Sequence, residues 1–333
     1  MAHISPAVIE LSISEQQDND GAAFPLLLGP QSKDTFTSSK EVLEWVKNNQ
    51  TFVEEKLGKH GAILFRGFPL TTPDEFHDFL KGFDYEFRHQ FNGGGGPRKL
   101  IVGPIQTSTE SPPEFTIPFH HELAYLTSQP SKLFFFCEIP PAAKGETPLC
   151  LSHRVYKKAV EKNKAFIDKI TEKKIRYTRI LADKSTGKNL DYQRAWQDIY
   201  DTEDRKVAEE RALASGTETV EWLDDNSMKV VSIPFPAIRV DPRHNKETWF
   251  NSAILLHPGV YGMSKDFNAW ETTFADFSPI DPKDLLEVRA IMEAEGVAFK
   301  WQQGDVLLVD NFLALHSRNS FTPPRRILAA MAV

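Results

Sequence analysis

The sequence predicts a mainly β fold with helices: a double-stranded β-helix (jelly roll) core decorated by α-helices and a lid insertion. Three observations carry this. Short apolar runs of strand length crowd the middle and end of the chain. Helical periodicity is concentrated early and in insertions. No strand-helix-strand alternation and no internal repeat appears, which removes parallel α/β and solenoid architectures.

In order along the chain, residues 1–37 are polar and punctuated by Pro and Gly, and read as an N-terminal arm on the surface. Ser38-Ser39-Lys40-Glu41 is a capping box, and Val42, Trp45, Val46, Phe52, Val53 and Leu57 follow at mostly helical spacing, so a helix is expected over 39–57. "GAILFRGF" (61–68), apolar and bounded by glycines, reads as a buried strand. Thr72-Pro73-Asp74-Glu75 starts a second helix with Pro at its first position. "FNGGGGPRK" (91–99) lacks the Gly-Lys-Ser/Thr of a phosphate loop and opens no helix, so it reads as a hairpin or lid loop.

"KLFFFCEI" (132–139) is a strand, and 151–174 is amphipathic helix with a solvated charged face. Residues 182–216, charged and weakly patterned, form the expected lid or insertion. Strand-like pieces return at 219–223, 229–234, 237–240, 297–301, 305–310 and 326–333, interrupted by a helix at 284–294. The closing strands share one sheet system with the 120 region, so residues 1–333 read as a single domain.

Composition narrows the function. The 333 residues are 41% hydrophobic, enough for a substantial core, and carry a formal net charge of -7 without a basic run. Nucleic acid and anionic membrane are therefore disfavoured as partners, and a small-molecule substrate is expected. Two cysteines, Cys137 and Cys150, read as reduced thiols; with no targeting pattern at the N-terminus and no apolar run of membrane length, the setting is read as cytoplasmic.

The chemistry lies in "IPFHHELAYL" (117–126). On a strand, residues two apart project from the same face, so His120 and Glu122 can hold one ion while His121 faces away as a spacer. On a helix the pair would diverge by about 200°. A third ligand is needed, from His153, His244, His257 or His316. The first two sit in charged, easily solvated surroundings, and His257 ends an apolar run as a core histidine would. His316, in "GDVLLVDNFLALHSRNSFTPPRRILAAMAV", arrives beside the final strand. The set His120, Glu122 and His316 is then two histidines and one carboxylate on one side of an ion, which leaves other positions open and suits non-haem Fe(II). A zinc hydrolase with the same ligands, or a non-catalytic jelly-roll binding protein, is the alternative.

"FHHELAYLTSQPSKLFFFCEIPPAAKGETPL", "GAILFRGF" and "GDVLLVDNFLALHSRNSFTPPRRI" resemble the taurine dioxygenase and clavaminate synthase group of Fe(II)/2-oxoglutarate-dependent oxygenases, most closely its plant clavaminate synthase-like branch, over about residues 60–333. The resemblance implies that His120, Glu122 and His316 are the Fe(II) ligands, that Thr147 contacts the co-substrate 2-oxoglutarate, and that Arg326 binds its far carboxylate. Arg325 and Arg326 face opposite ways on a strand, and the resemblance selects Arg326. It also implies O2 as a substrate and oxidative decarboxylation of 2-oxoglutarate coupled to C–H oxidation of a small molecule. In taurine dioxygenase a further arginine, four residues past the co-substrate arginine, grips the sulfonate. The matching residue here is Ala330, so taurine is not the expected substrate; Arg194, Arg239 and Arg243 are alternative anchors for an anion.

Overall fold

The computed structural model describes residues 7–88, 93–94, 98–109, 111–186, 194–260 and 270–333. At its centre the strand Lys132–Ile139 lies antiparallel between Val306–Asp310 and Arg326–Ala332. The sheet extends from Val306–Asp310 to Ala62–Phe65 and then Leu26–Pro30, and on the other flank from Arg326–Ala332 to Ile105–Thr107. Central strands bury both faces, which is why they read as continuous apolar runs.

One face packs against the helices Ser39–Asn48, Gln50–His60 and Pro73–Lys81, with Phe76, Phe79, Phe134 and Phe136 at the contact. The other face looks toward a three-stranded sheet in the order Leu149–Leu151, Ala314–Arg318, Ile117–His120. Its lining includes Phe135, Cys137, Leu307, Ile327 and Ala329. Two facing sheets built from strands distant in sequence are the expected jelly roll.

A separate four-stranded sheet, Thr217–Trp222, Met228–Ser232, Ile175–Leu181 and Trp270–Phe274, flanks the core and packs on the long helix Ser152–Lys173 and on Pro282–Glu295. Among the described residues no helix is long and apolar enough to cross a membrane.

Several expectations are corrected. The supposed N-terminal arm contributes Val8–Leu11 and Leu26–Pro30 to the main sheet, with Leu26, Leu27 and Leu28 buried. That apolar triplet was the missed signal. The helix expected over 39–57 is two helices, because Asn49 leaves helical geometry at φ -126° and caps the first one. The second ends at Gly61, whose left-handed φ of 73° turns the chain straight into Ala62–Phe65. The described part of 182–216 is a packed unit: Trp196, Ile199, Tyr200, Ala208 and Ala212, on two short helices, cover Leu181, Met228 and Val230. Residues 187–193 lie outside the described residues, as do 91–92 and 95–97 of the glycine-rich run. "VAFKW" forms only a bridge, Val297 to Leu149, in place of a strand.

Candidate metal centre and its pocket

His120 is the last residue of its strand, and His316 stands directly opposite it in the antiparallel register. Opposed residues in such a pair share a face at close range. The ring centroids are 4.2 Å apart, so the ladder itself assembles two ligands from remote parts of the sequence. The His120 Nδ1–H donates to the Pro118 carbonyl at 2.8 Å, which fixes the tautomer and leaves the Nε2 lone pair for an ion.

Glu122 reaches the site by a different route from the one expected. The strand stops at His120, and Glu122 sits in the following turn. Buried Asn311 clamps that turn: its Oδ1 accepts from the Glu122 N–H at 2.8 Å, and its Nδ2 donates to the carbonyls of Glu122 and Pro130 at 3.0 and 2.8 Å. Glu122 Oε2 ends 3.8 Å from His120 Nε2 and 3.6 Å from His316 Nε2. One donor atom from each residue lies within 4.8 Å of the others, the separation a single ion bridges. His121 points away, fully buried, with Nδ1 2.6 Å from the Asn311 carbonyl and its ring against Phe250.

Electrostatics prepare the donors. Burial lowers His316 to about 4, with the neighbouring His120 adding to the effect. Burial would raise the Glu122 carboxyl, but Arg98, with the two histidines adding to it, holds it well below the usual carboxylate range. At neutral pH the set therefore presents neutral imidazole at His316 and a charged carboxylate, the protonation states a divalent cation requires. Two nitrogens and one carboxylate oxygen fit non-haem Fe(II).

The ligands open into a pocket of about 450 Å³ including its mouth, lined by Phe135, Thr147, Arg98, Arg318, Arg325 and Ile327 among others. Thr147 is buried two residues before Leu149, the other register partner of His316. The Arg325 Nε donates to the Gly145 carbonyl at 2.9 Å, and its Nη2 lies 3.5 Å from Thr147 Oγ1. Burial and the nearby Arg318 lower Arg325 to about 10, which leaves it cationic at neutral pH.

Arg326, the expected co-substrate residue, is elsewhere. It faces outward, its side chain 43% exposed and paired with Glu138 at 3.0 Å. Strand alternation gives the reason. Ile327 and Ala329 line the pocket, whereas Leu328 and Ala330 enter the helix-side core, so the pocket face runs through odd numbers. Ala330 is likewise outside the pocket, and the residue four past Arg325 is Ala329, again without a cation. Of the alternative anchors, Arg243 is paired with Asp241 and Asp310, Arg239 stacks on Phe250 and Phe312, and Arg194 reaches the Asp198 carbonyl.

Sequence reasoning missed Arg98, which donates to Glu122 Oε1 at 2.8 Å. It lies in the glycine-rich run that reads as a plain loop. It also missed Asn311, whose only sequence signal was its place in a turn after a buried strand.

The chain is similar to several known proteins. Residues 36–331 match the family described as taurine catabolism dioxygenase TauD, TfdA. The chain is 36% identical to a clavaminate synthase-like protein of Arabidopsis thaliana, over 97% of this chain and 98% of that one. It is 27% identical to the dapdiamide synthesis protein DdaC of Enterobacter agglomerans, over 84% of each. Among solved structures, AAD-2 in complex with Mn(II) and N-oxalylglycine superposes with a TM-score of 0.52 at 14% identity, covering 98% of this chain and 97% of that one. PvcB of Pseudomonas aeruginosa gives 0.51 at 13%, covering all of this chain and 94% of that one.

Proposed function

The chain belongs to the TauD, TfdA dioxygenase family, an Fe(II)- and 2-oxoglutarate-dependent group of enzymes that use O2, and from that premise we propose what each residue of its pocket does. His120, Glu122 and His316 hold the iron. Thr147 and Arg325 hold 2-oxoglutarate, with Arg325 on the carboxylate remote from the metal. The reaction is oxidation, by preference hydroxylation, of a C–H bond in a small molecule other than taurine, carried out by one oxygenase domain. The hydrolase and non-catalytic readings fall with the family.

The observation that supports this most is the placement of a half-buried guanidinium, Arg325, and a buried hydroxyl, Thr147, in the same pocket as the three ligands. A bidentate guanidinium matches a planar carboxylate better than an ammonium does. Iron, when bound, would supply activation of O2, which is the oxidant, while 2-oxoglutarate is the co-substrate oxidised to succinate and CO2. The protein's own residues position and exclude. Arg98 occupies one Glu122 oxygen and leaves the other for the metal. Phe135 and Ile327 keep water from the reacting face.

Anaerobic addition of Fe(II) and 2-oxoglutarate to apo-protein should give a visible charge-transfer band that needs both components. No band in wild type, or an undiminished one in Arg325→Gln, refutes the assignment. Sulfite release from taurine should be negligible, and efficient release refutes the exclusion of taurine.

A further inference from the structure

Arg179 lies on Ile175–Leu181, whose alternation turns Ile175, Tyr177, Arg179 and Leu181 to one buried face. An arginine at such a position ordinarily has a carboxylate beside it. Here the residue is 4% exposed, and among the described residues no carboxylate faces it. Its Nη1 makes one long bond, 3.3 Å, to the Gly93 carbonyl, its plane sits 4.5 Å from the Trp270 ring centroid, and its Nε is buried without a partner. Among its neighbours Arg194, another cation, adds repulsion to the cost of burial.

This guanidinium borders a cavity of about 360 Å³ including its mouth, whose walls combine aromatic rings, Tyr125, Tyr200 and Trp270, with the hydroxyl-bearing Ser215 and Thr217. The cavity and the metal pocket draw lining residues from one turn of the chain. Glu122 lines the pocket, and Tyr125 and Leu126, on the same turn, line the cavity. Of the glycine-rich run, Arg98 lines the pocket and Gly93 the cavity.

A buried cation with vacant donors, beside hydroxyls, is a preformed site for an anion. We propose that the Arg179 cavity receives the carboxylate of the primary substrate, which is therefore an organic acid with an apolar or aromatic body, held at one end by Arg179 while the other reaches the metal pocket. The proposal rests on the oxygenase reading only in taking the bound acid to be the molecule oxidised. It supplies the anion anchor that the pocket face of the final strand lacks, because Ala329 offers none.

The test uses the full chain without metal or 2-oxoglutarate, so it is independent of whether the oxygenase assignment holds. The probes are 3-phenylpropionate and its neutral isostere 3-phenylpropionamide, titrated by calorimetry and by tryptophan fluorescence. The acid should bind at least tenfold tighter than the amide and raise Tm where the amide does not. Arg179→Met should abolish that preference and raise the Tm of the free protein, since it removes an uncompensated buried charge, whereas an arginine with a structural role would lower it. Arg325→Gln, in the neighbouring pocket, should retain the preference. Equal affinity of wild type for acid and amide overturns the proposal, as does a preference that survives Arg179→Met. Should Arg179→Met fail to fold, that failure marks a structural role and also overturns it.

Discussion

Arg98 holds Glu122 Oε1 at 2.8 Å while Glu122 Oε2 faces His120 and His316 at 3.8 and 3.6 Å, so a single carboxylate is divided between a permanent cation and a metal position. The arginine fixes which oxygen is available and lowers the proton affinity of both. Replacing Arg98 by Met should weaken Fe(II) or Mn(II) binding by roughly 10–100-fold, the scale seen when a partner behind a metal ligand is lost. Equilibrium metal titration of the two proteins measures this; unchanged affinity removes Arg98 from the metal centre.

The adjacent histidines should separate cleanly. His120→Ala and His316→Ala should abolish stoichiometric Fe(II) binding with little change in fold. His121→Ala should retain the metal but lose about 2–4 kcal/mol of stability, because it empties a fully buried position and orphans the Asn311 carbonyl. Metal content and urea midpoints of the three variants decide the matter, and comparable metal loss in His121→Ala contradicts the ligand assignment.

The neighbouring arginines should also differ, in the opposite sense to the resemblance-based expectation. Arg325→Lys should raise the 2-oxoglutarate concentration needed for half-maximal uncoupled turnover by about tenfold, the equivalent of one charge-assisted hydrogen bond. Arg326→Ala, which removes only a partly exposed pair with Glu138, should leave it within roughly twofold. A larger effect at Arg326 restores the original choice.

Asn311 donates two hydrogen bonds and accepts one, all buried. Asn311→Ala should cost about 2–5 kcal/mol through the orphaned backbone groups, and should lower metal affinity as well, because the turn presenting Glu122 is released. Thermal melting read with metal titration tests both; destabilisation with unchanged affinity means that the turn holds itself.

Apo-protein stability should fall in mild acid. Burial depresses His121 to about 3 and His316 to about 4, so the unfolded chain, with histidines near 6.5, binds the extra protons first. Stability is full above roughly 6.5 and declines as pH falls toward the folded values, by up to about 1.4 kcal/mol per pH unit for each histidine. Melting curves between pH 7.5 and 5 measure the slope. A flat profile contradicts the neutral, buried state of these rings.

The sequence carried the three residues that the fold brings together because their spacing and residue types are local signals, and it carried the strand content because the sheet is buried on both faces. It misplaced the mechanism of delivery. Glu122 shares a site with His120 through a turn pinned by Asn311, a contact between residues distant in sequence. The phase of the last strand also escaped, since alternation says only that Arg325 and Arg326 diverge; the core behind Leu328 and Ala330 decides which faces inward. Leu26–Leu28 could have been recognised as a strand from its apolar run alone. Arg179 could not, because a charged residue in a polar-looking segment gives no sign of its burial.

The pairing of His120 with His316 also bears on the order of events during folding. Two of the three donors exist as neighbours only after Ala314–Arg318 has inserted between Leu149–Leu151 and Ile117–His120. Such contacts between remote segments form late, because the loop between them must be closed first. Residues 117–122 alone offer an ion too few ligands to compete with water. Iron therefore cannot template this fold as zinc templates a finger; it is captured by a chain whose inner sheet is already complete, and its retention reports that the closing strands have found their register.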